Sequence, residues 1–125
     1  MPRKLSRRTQ QVLDVLYRRG EASAAEVMED VPDLPSYSAA RSVLRALEAR
    51  GLVRHREKDL RYVYSPVVPR RKASRSALVE LIDTFFGGEP EPALQSLVDL
   101  VRDGRYDLDF KRAQEMIERA RREGR

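Results

Sequence analysis

The stretch PSYSAARSVLRALEARGLVRHREKDLRYVYSP, residues 35–66, contains a helical pattern and a strand pattern separated by a glycine. Its apolar residues recur at i, i+3, i+4 and i+7, the spacing of one buried helix face. That face consists of Ala40, Val43, Leu44 and Leu47. After Gly51, the segments LVRHRE and RYVYSP alternate in polarity and are rich in β-favouring residues. The stretch therefore predicts a helix followed by a two-stranded hairpin.

Two helical patterns precede this stretch. Residues 6–19 carry a buried stripe behind Ser6, a suitable N-cap, and Gly20 stands where a helix C-terminus favours glycine. Ser23 and Glu26 then have the spacing of a capping box before a short second helix. Three helices followed by a hairpin predict a winged helix-turn-helix. The predicted fold class is mainly α with a small β-hairpin.

The second half of the chain predicts three more helices, at about residues 77–86, 92–101 and 108–122. Residues 67–76, VVPRRKASRS, are either a linker or the start of a helix. We therefore expect a winged-helix domain at residues 1–70 and a helical domain at residues 71–125, for which the charge and apolar patterns below predict DNA binding and dimerisation, respectively.

Each helix of the second half has a wide apolar stripe, and a segment this short buries such stripes poorly alone. Pairing with a second copy of the chain is the simplest solution, because most soluble oligomers are symmetric. The alternative is that these helices fold back on the first half. The predicted dimer interface consists of Leu78, Leu81, Ile82, Phe85, Phe86, Leu94, Leu97, Val98, Val101, Phe110, Met116 and Ile117.

The composition argues against several classes of protein. Cysteine is absent, which removes disulfides, thiolate nucleophiles and Cys-based metal sites. The only histidine, His55, lies on a predicted strand, and no catalytic or phosphate-binding motif is present. We expect no enzyme activity, no cofactor and no metal. No apolar run reaches about 18 residues and no secretory signal is visible, so we expect a cytoplasmic protein without a membrane span.

Positive charge is concentrated in the first half. Residues 1–74 have 16 Lys/Arg and 9 Asp/Glu, whereas residues 75–125 have 9 and 11. Arg3, Lys4, Arg7 and Arg8 contribute at the start of the first helix, where the helix dipole disfavours cations. A basic first half indicates contact with a polyanion.

The face of the third helix opposite its apolar stripe predicts contact with DNA. It carries Ser38, Arg41, Ser42 and Arg45, again at i, i+3, i+4 and i+7, with the small Ala39 beside them. A major groove admits a helix, and arginine can pair with guanine through two hydrogen bonds. The competing interpretation is an ordinary solvated face. Against it, residues 36–61 contain seven cations and only three acids.

The hairpin adds Arg54, Arg56, Lys58 and Arg61, with Lys58 and Asp59 in the predicted connection. On a wing these cations would reach phosphates, which give affinity but little sequence information. Arg54 or Arg56 could equally pair with Glu57 or Asp59. Two other functions stay open at this point: a winged-helix module that docks an acidic protein, and a non-specific architectural DNA binder.

The chain resembles the penicillinase-repressor family of bacterial regulators from residue 5 to about residue 120. The resemblance is carried by LRALEARGLV (residues 44–53), YVYSP (62–66), QQVLDVLYRRGEASAAEVMEDV (10–31) and LVELIDTFFGG (78–88). It implies a homodimeric repressor with a palindromic double-stranded operator. Base contacts would fall on Ser38, Ala39, Arg41, Ser42 and Arg45, and wing contacts near Arg56, Lys58 and Arg61.

The sequence departs from the family pattern where members sense their signals. The resemblance implies an inducing protease for β-lactam-responsive members, which are cut at an Asn-Phe bond, but this chain contains no Asn. Copper-responsive members use a cysteine-rich tail, and this chain has no Cys. The usual tryptophans of the first helix are also missing, and Val15 and Tyr17 occupy that neighbourhood. The operator sequence, the target genes and the inducing signal therefore stay open.

Overall fold

A computed structural model describes residues 5–124. The elements, in chain order, are α1 (Arg7–Arg19), α2 (Ala24–Asp30), α3 (Tyr37–Ala49), β1 (Val53–Lys58), β2 (Arg61–Pro66), α4 (Arg70–Phe85), α5 (Pro90–Arg102) and α6 (Phe110–Arg122). The chain divides into two compact units, one ending at Arg75 and one beginning at Ser76. We call them unit 1 and unit 2. The boundary between the two units lies inside α4, because α4 begins before it, at Arg70.

The helix ends of unit 1 form as the sequence predicts. Ser6 accepts a hydrogen bond from the Thr9 amide at 3.2 Å, and Gly20 follows α1 with a φ of 86°. Both bonds of the capping box are present at the start of α2: the Glu26 amide donates to Ser23 and the Ser23 amide donates to Glu26. These bonds satisfy backbone groups that a helix terminus leaves without partners.

The core of unit 1 lies between α1, α2, α3 and the hairpin. Its largest fully buried side chains are Leu16, Leu44, Leu47, Val12, Val15, Val27 and Val53. Ala40 is also buried, whereas Val43 is half-buried at the margin of the core. The apolar face of α3 is therefore narrower than its sequence spacing predicts.

The hairpin is antiparallel and pairs Val53 with Pro66 at its base and Lys58 with Arg61 at its tip. Its turn is Asp59–Leu60, so Lys58 is in β1 and not in the connection. Ala22 forms an isolated antiparallel bridge with Tyr64, through backbone hydrogen bonds of 2.9 and 2.8 Å. This bridge ties the α1–α2 connection to the hairpin, and no sequence periodicity indicates it.

The start of α4 is held within unit 1. The Tyr17 hydroxyl donates to the Val68 carbonyl at 2.9 Å, and the Arg70 guanidinium donates to the Tyr17 carbonyl. Partial burial raises the pKa of the Tyr17 hydroxyl above its usual value. The helix predicted at residues 77–86 begins earlier, at Arg70. Residues 70–76 are therefore the start of a helix and not a linker. The predicted fold class, a winged helix-turn-helix followed by C-terminal helices, is confirmed.

Candidate nucleic-acid interface

The exposed face of α3 is set by the residues that anchor its other face. Ser36 caps the helix by accepting a hydrogen bond from the Ala39 amide at 3.1 Å. Ala40, Leu44 and Leu47 are fully buried. The predicted contact residues Ser38, Arg41, Ser42 and Arg45 are all exposed, and Ala39 is half-buried. The structure therefore brings the two serines and two arginines together on one solvent-facing surface.

The two arginines of this face differ in their surroundings. The Arg41 guanidinium carbon lies 5.9 Å from the centroid of the Tyr37 ring, within the range of a cation–π contact. Arg45 makes no hydrogen bond or ion pair with the residues that the structure describes. Sequence reasoning missed Tyr37, although its place one turn before Arg41 on a helix was a usable signal.

The cations of the hairpin, which we call the wing (residues 53–66), fall into two groups. Arg56 donates to both carboxylate oxygens of Glu21, at 2.9 and 3.0 Å, and Lys58 lies 3.7 Å from the same carboxylate. These contacts, led by the Arg56 hydrogen bond, hold the pKa of Glu21 below its usual value. The partner is therefore Glu21 and not Glu57 or Asp59. Glu21 precedes the bridge residue Ala22, and only the tertiary fold brings it to the wing.

Arg54 and Arg61 form the second group. Both are exposed, and neither makes an ion pair within residues 5–124. The Ser23 backbone hydrogen bond is the main cause that lowers the pKa of Glu26, and Arg61 adds a smaller Coulombic effect. These two side chains are available to phosphate without first losing an intramolecular partner.

His55 connects the wing to the end of α3. Its Nδ1 lies 2.7 and 2.8 Å from the two carboxylate oxygens of Glu48. Its ring stacks on Tyr62, with centroids 4.3 Å apart. The single histidine thus has a carboxylate partner and an aromatic partner. The sequence did not predict the contact between Glu48 and His55, which are seven positions apart.

An open groove of about 460 Å³ separates the start of α3 from the wing tip. Tyr37 and Arg41 line it on the α3 side, and Leu60, Arg61 and Tyr62 line it on the wing side. Ser23, at the start of α2, is also in its lining. The α3 surface and the wing tip therefore border the same groove, and the residues that line it include basic and aromatic side chains.

Residues 5–124 contain no group of three or more His, Asp or Glu side chains placed to hold a metal ion. No helix in the same range is long and apolar enough to cross a membrane. Arg3 and Lys4 lie outside the described residues.

The predicted interface residues of the C-terminal helices are either half-buried or exposed. None of the described residues of α4, α5 and α6 is fully buried. Ile82, Phe86, Val98 and Val101 are half-buried. The exposed ones are Leu78, Leu81, Phe85, Leu94, Leu97, Phe110, Met116 and Ile117. Such a concentration of exposed large apolar side chains is typical of an interaction surface.

Comparisons with known proteins give one family and similar solved structures. The family model described as penicillinase repressor matches residues 5–119. A solved structure of Bordetella bronchiseptica BpsR, whose DNA binding is regulated by 6-hydroxynicotinic acid, has a TM-score of 0.50 and 21% identity. It covers 79% of this chain and 74% of that one.

The solution structure of the DNA-binding domain of the repressor BlaI has a TM-score of 0.48 and 19% identity. It covers 56% of this chain and 90% of that one. The search of curated proteins gave no significant match.

Proposed function

The chain belongs to the penicillinase repressor family and is a DNA-binding transcription regulator, and we propose that it acts as a homodimer that reads a palindromic operator with α3. Arg41 and Arg45 would pair with base edges in the major groove, and Ser38, Ala39 and Ser42 would allow close approach. Arg54, Arg56, Lys58 and Arg61 would contact the phosphate backbone.

The observation that carries this proposal is the division of α3 into two faces. One face is fixed by three fully buried side chains, and the other presents two exposed arginines with small neighbours. A helix anchored in this way is a rigid platform, so its arginines can reach a base edge without reordering the backbone. Rigid positioning favours base reading, because the ordering cost of binding is smaller.

A second copy of the chain would cover the apolar surface of unit 2. The apolar side chains of α4, α5 and α6 are exposed in the single chain, and a symmetric dimer would bury the same surface on both copies. Two copies of α3 would then face two half-sites, which explains why the operator is proposed to be palindromic. A protease that relieves repression would have to cut at a different sequence from Asn-Phe, because the chain has no Asn.

Selection of random duplexes by the full-length protein tests the proposal. We expect a palindromic sequence to be enriched. Arg41→Ala or Arg45→Ala should each weaken binding to that sequence by about 1–3 kcal/mol and relax the preference for particular bases. Arg18→Ala, an exposed arginine on α1, is the matched control and should bind the selected duplex nearly as well as the parent.

The other results of this selection have definite meanings. Binding without enrichment, combined with a steep dependence on salt, would indicate a non-specific architectural protein. No binding even at low salt would indicate a module that docks an acidic protein. Equal affinity of the Arg41/Arg45 double variant and the parent would refute base reading by α3.

A further inference from the structure

The tip of the wing carries an apolar side chain, Leu60, that is not buried within unit 1. Leu60 is 99% exposed, the highest exposure among the large apolar residues described. Isolated exposed leucines are common on protein surfaces and need no explanation by themselves. Leu60, however, also has a φ of 64°, in the left-handed region that non-glycine residues rarely adopt.

The turn is unfavourable for a leucine. A two-residue hairpin turn with two positive φ values favours Asn-Gly or Asp-Gly, and here the pair is Asp59–Leu60. Leucine in place of glycine at the second position costs conformational free energy. Within residues 5–124 its side chain gains no burial in return. The cost is therefore not recovered inside unit 1.

The surroundings of Leu60 indicate which kind of binding partner could offset that conformational free energy. Leu60 and Arg61 line one side of the open groove, and Tyr37 and Arg41 line the α3 side. The tip thus borders the same space as the surface proposed to enter the major groove. The turn itself carries Asp59, but the groove lining contains Arg41 and Arg61 and no acidic residue among those described, so the groove beside the tip would take a polyanion and not an apolar protein surface.

We propose that Leu60 is an apolar DNA contact, which packs against deoxyribose in the minor groove beside the segment read by α3. This inference rests on the proposed function. Proteins that enter the minor groove combine cations with apolar side chains such as leucine. In this arrangement Arg61 holds the phosphate strand that passes through the groove, and Leu60 contacts the sugars beyond it.

Leu60→Gly provides a sharp test because it should move stability and affinity in opposite directions. The variant removes the left-handed penalty, so its melting temperature should equal or exceed that of the parent. Its affinity for the selected duplex should fall by about ten-fold, the loss expected when one leucine side chain stays in water. Because no charge is removed, the dependence of affinity on salt should not change.

Two further variants separate apolar contact from turn geometry. Leu60→Asn suits the left-handed backbone but is polar, and it should lose affinity as the glycine variant does. Leu60→Met keeps an apolar side chain and should bind within about three-fold of the parent. Hydroxyl-radical cleavage, which attacks deoxyribose, should show protected sugars beside each half-site with the parent and lose that protection with Leu60→Gly.

The results distinguish this inference from the function on which it rests. If the parent selects an operator and both Leu60→Gly and Leu60→Asn bind it as tightly as the parent, the Leu60 contact is refuted and base reading stands. A reduced salt dependence in Leu60→Gly would also refute it, because the effect would then be electrostatic. If the parent binds no duplex DNA, both proposals fail together.

Discussion

The two units differ in how completely the apolar faces of their helices are buried. Helices α1 and α3 of unit 1 and helices α5 and α6 of unit 2 are all amphipathic and 13 residues long. In unit 1 the apolar faces meet one another and a hairpin, and Leu16, Leu44 and Leu47 are fully buried. In unit 2 no described residue of α5 or α6 is buried. An apolar stripe by itself therefore does not predict how fully a helix face is buried within its own unit.

The largest expected effect is in the core of unit 1. Leu44→Ala should lower the free energy of unfolding by about 2–5 kcal/mol, because Leu44 is fully buried and the cavity does not close. Urea denaturation followed by circular dichroism measures it, and the loss should not depend on protein concentration. A loss below about 1 kcal/mol would show that the core of unit 1 is less tightly packed than the structure indicates.

The next effect concerns unit 2 and should depend on a second copy. Leu97→Asp places a charge on an apolar surface that is proposed to be covered in a dimer. Sedimentation should show a dimer for the parent and a monomer for the variant, while the melting transition of unit 1 is retained. Gln95→Ala, on the opposite side of α5, is the matched control and should stay dimeric. A parent that sediments as a monomer at micromolar concentration would contradict the proposed dimer.

Acid should act on unit 1 through the contacts of Arg19. Its guanidinium pairs with Glu26, Glu29 and Asp30 at 3.3, 3.2 and 2.7 Å. The Arg19 hydrogen bond lowers the pKa of Asp30. A carboxyl whose pKa is lower in the folded state stabilises the fold above its unfolded pKa, and this contribution disappears as pH falls through the folded value. Stability should therefore decline below about pH 4.

Arg19→Gln tests the source of that decline. The variant should have a lower urea midpoint than the parent at pH 7, and the difference between the two midpoints should be smaller at about pH 2, where more of the carboxyls are protonated. Arg18→Gln is the control, because Arg18 makes no close ion pair among the described residues. A difference of the same size at both pH values would show that Arg19 stabilises unit 1 by packing and not through its charge.

The smallest expected effect separates the cations used within unit 1 from those free for a partner. Glu21 pairs with Arg56 and Lys58, and would compete with phosphate for both. Glu21→Gln should raise DNA affinity by about two- to five-fold at low salt, and the gain should shrink as salt screens the charges. Glu57→Gln, also on the wing but without an ion pair within residues 5–124, is the control. A weaker-binding Glu21→Gln would show that Glu21 orients Arg56 for contact.

The sequence determined the local structure and the polarity of each surface. The Ser6 cap and the Ser23–Glu26 box depend on neighbours three residues away, so the starts of α1 and α2 could be predicted closely. The exposure of Arg41 and Arg45 followed from helix geometry once the apolar face was identified. Residues 70–76 carry no apolar periodicity, so the sequence left them open as a linker or the start of a helix, and the structure places them in α4.

Only the tertiary structure decided which distant groups meet. The Ala22–Tyr64 bridge, the Glu21–Arg56 pair and the Glu48–His55 contact join residues 42, 35 and 7 positions apart. The positive φ of Leu60 depends on how the hairpin closes, which shifts the turn by one residue from the expected connection. These features arise because packing of the core brings separate segments together, and no local period encodes that packing.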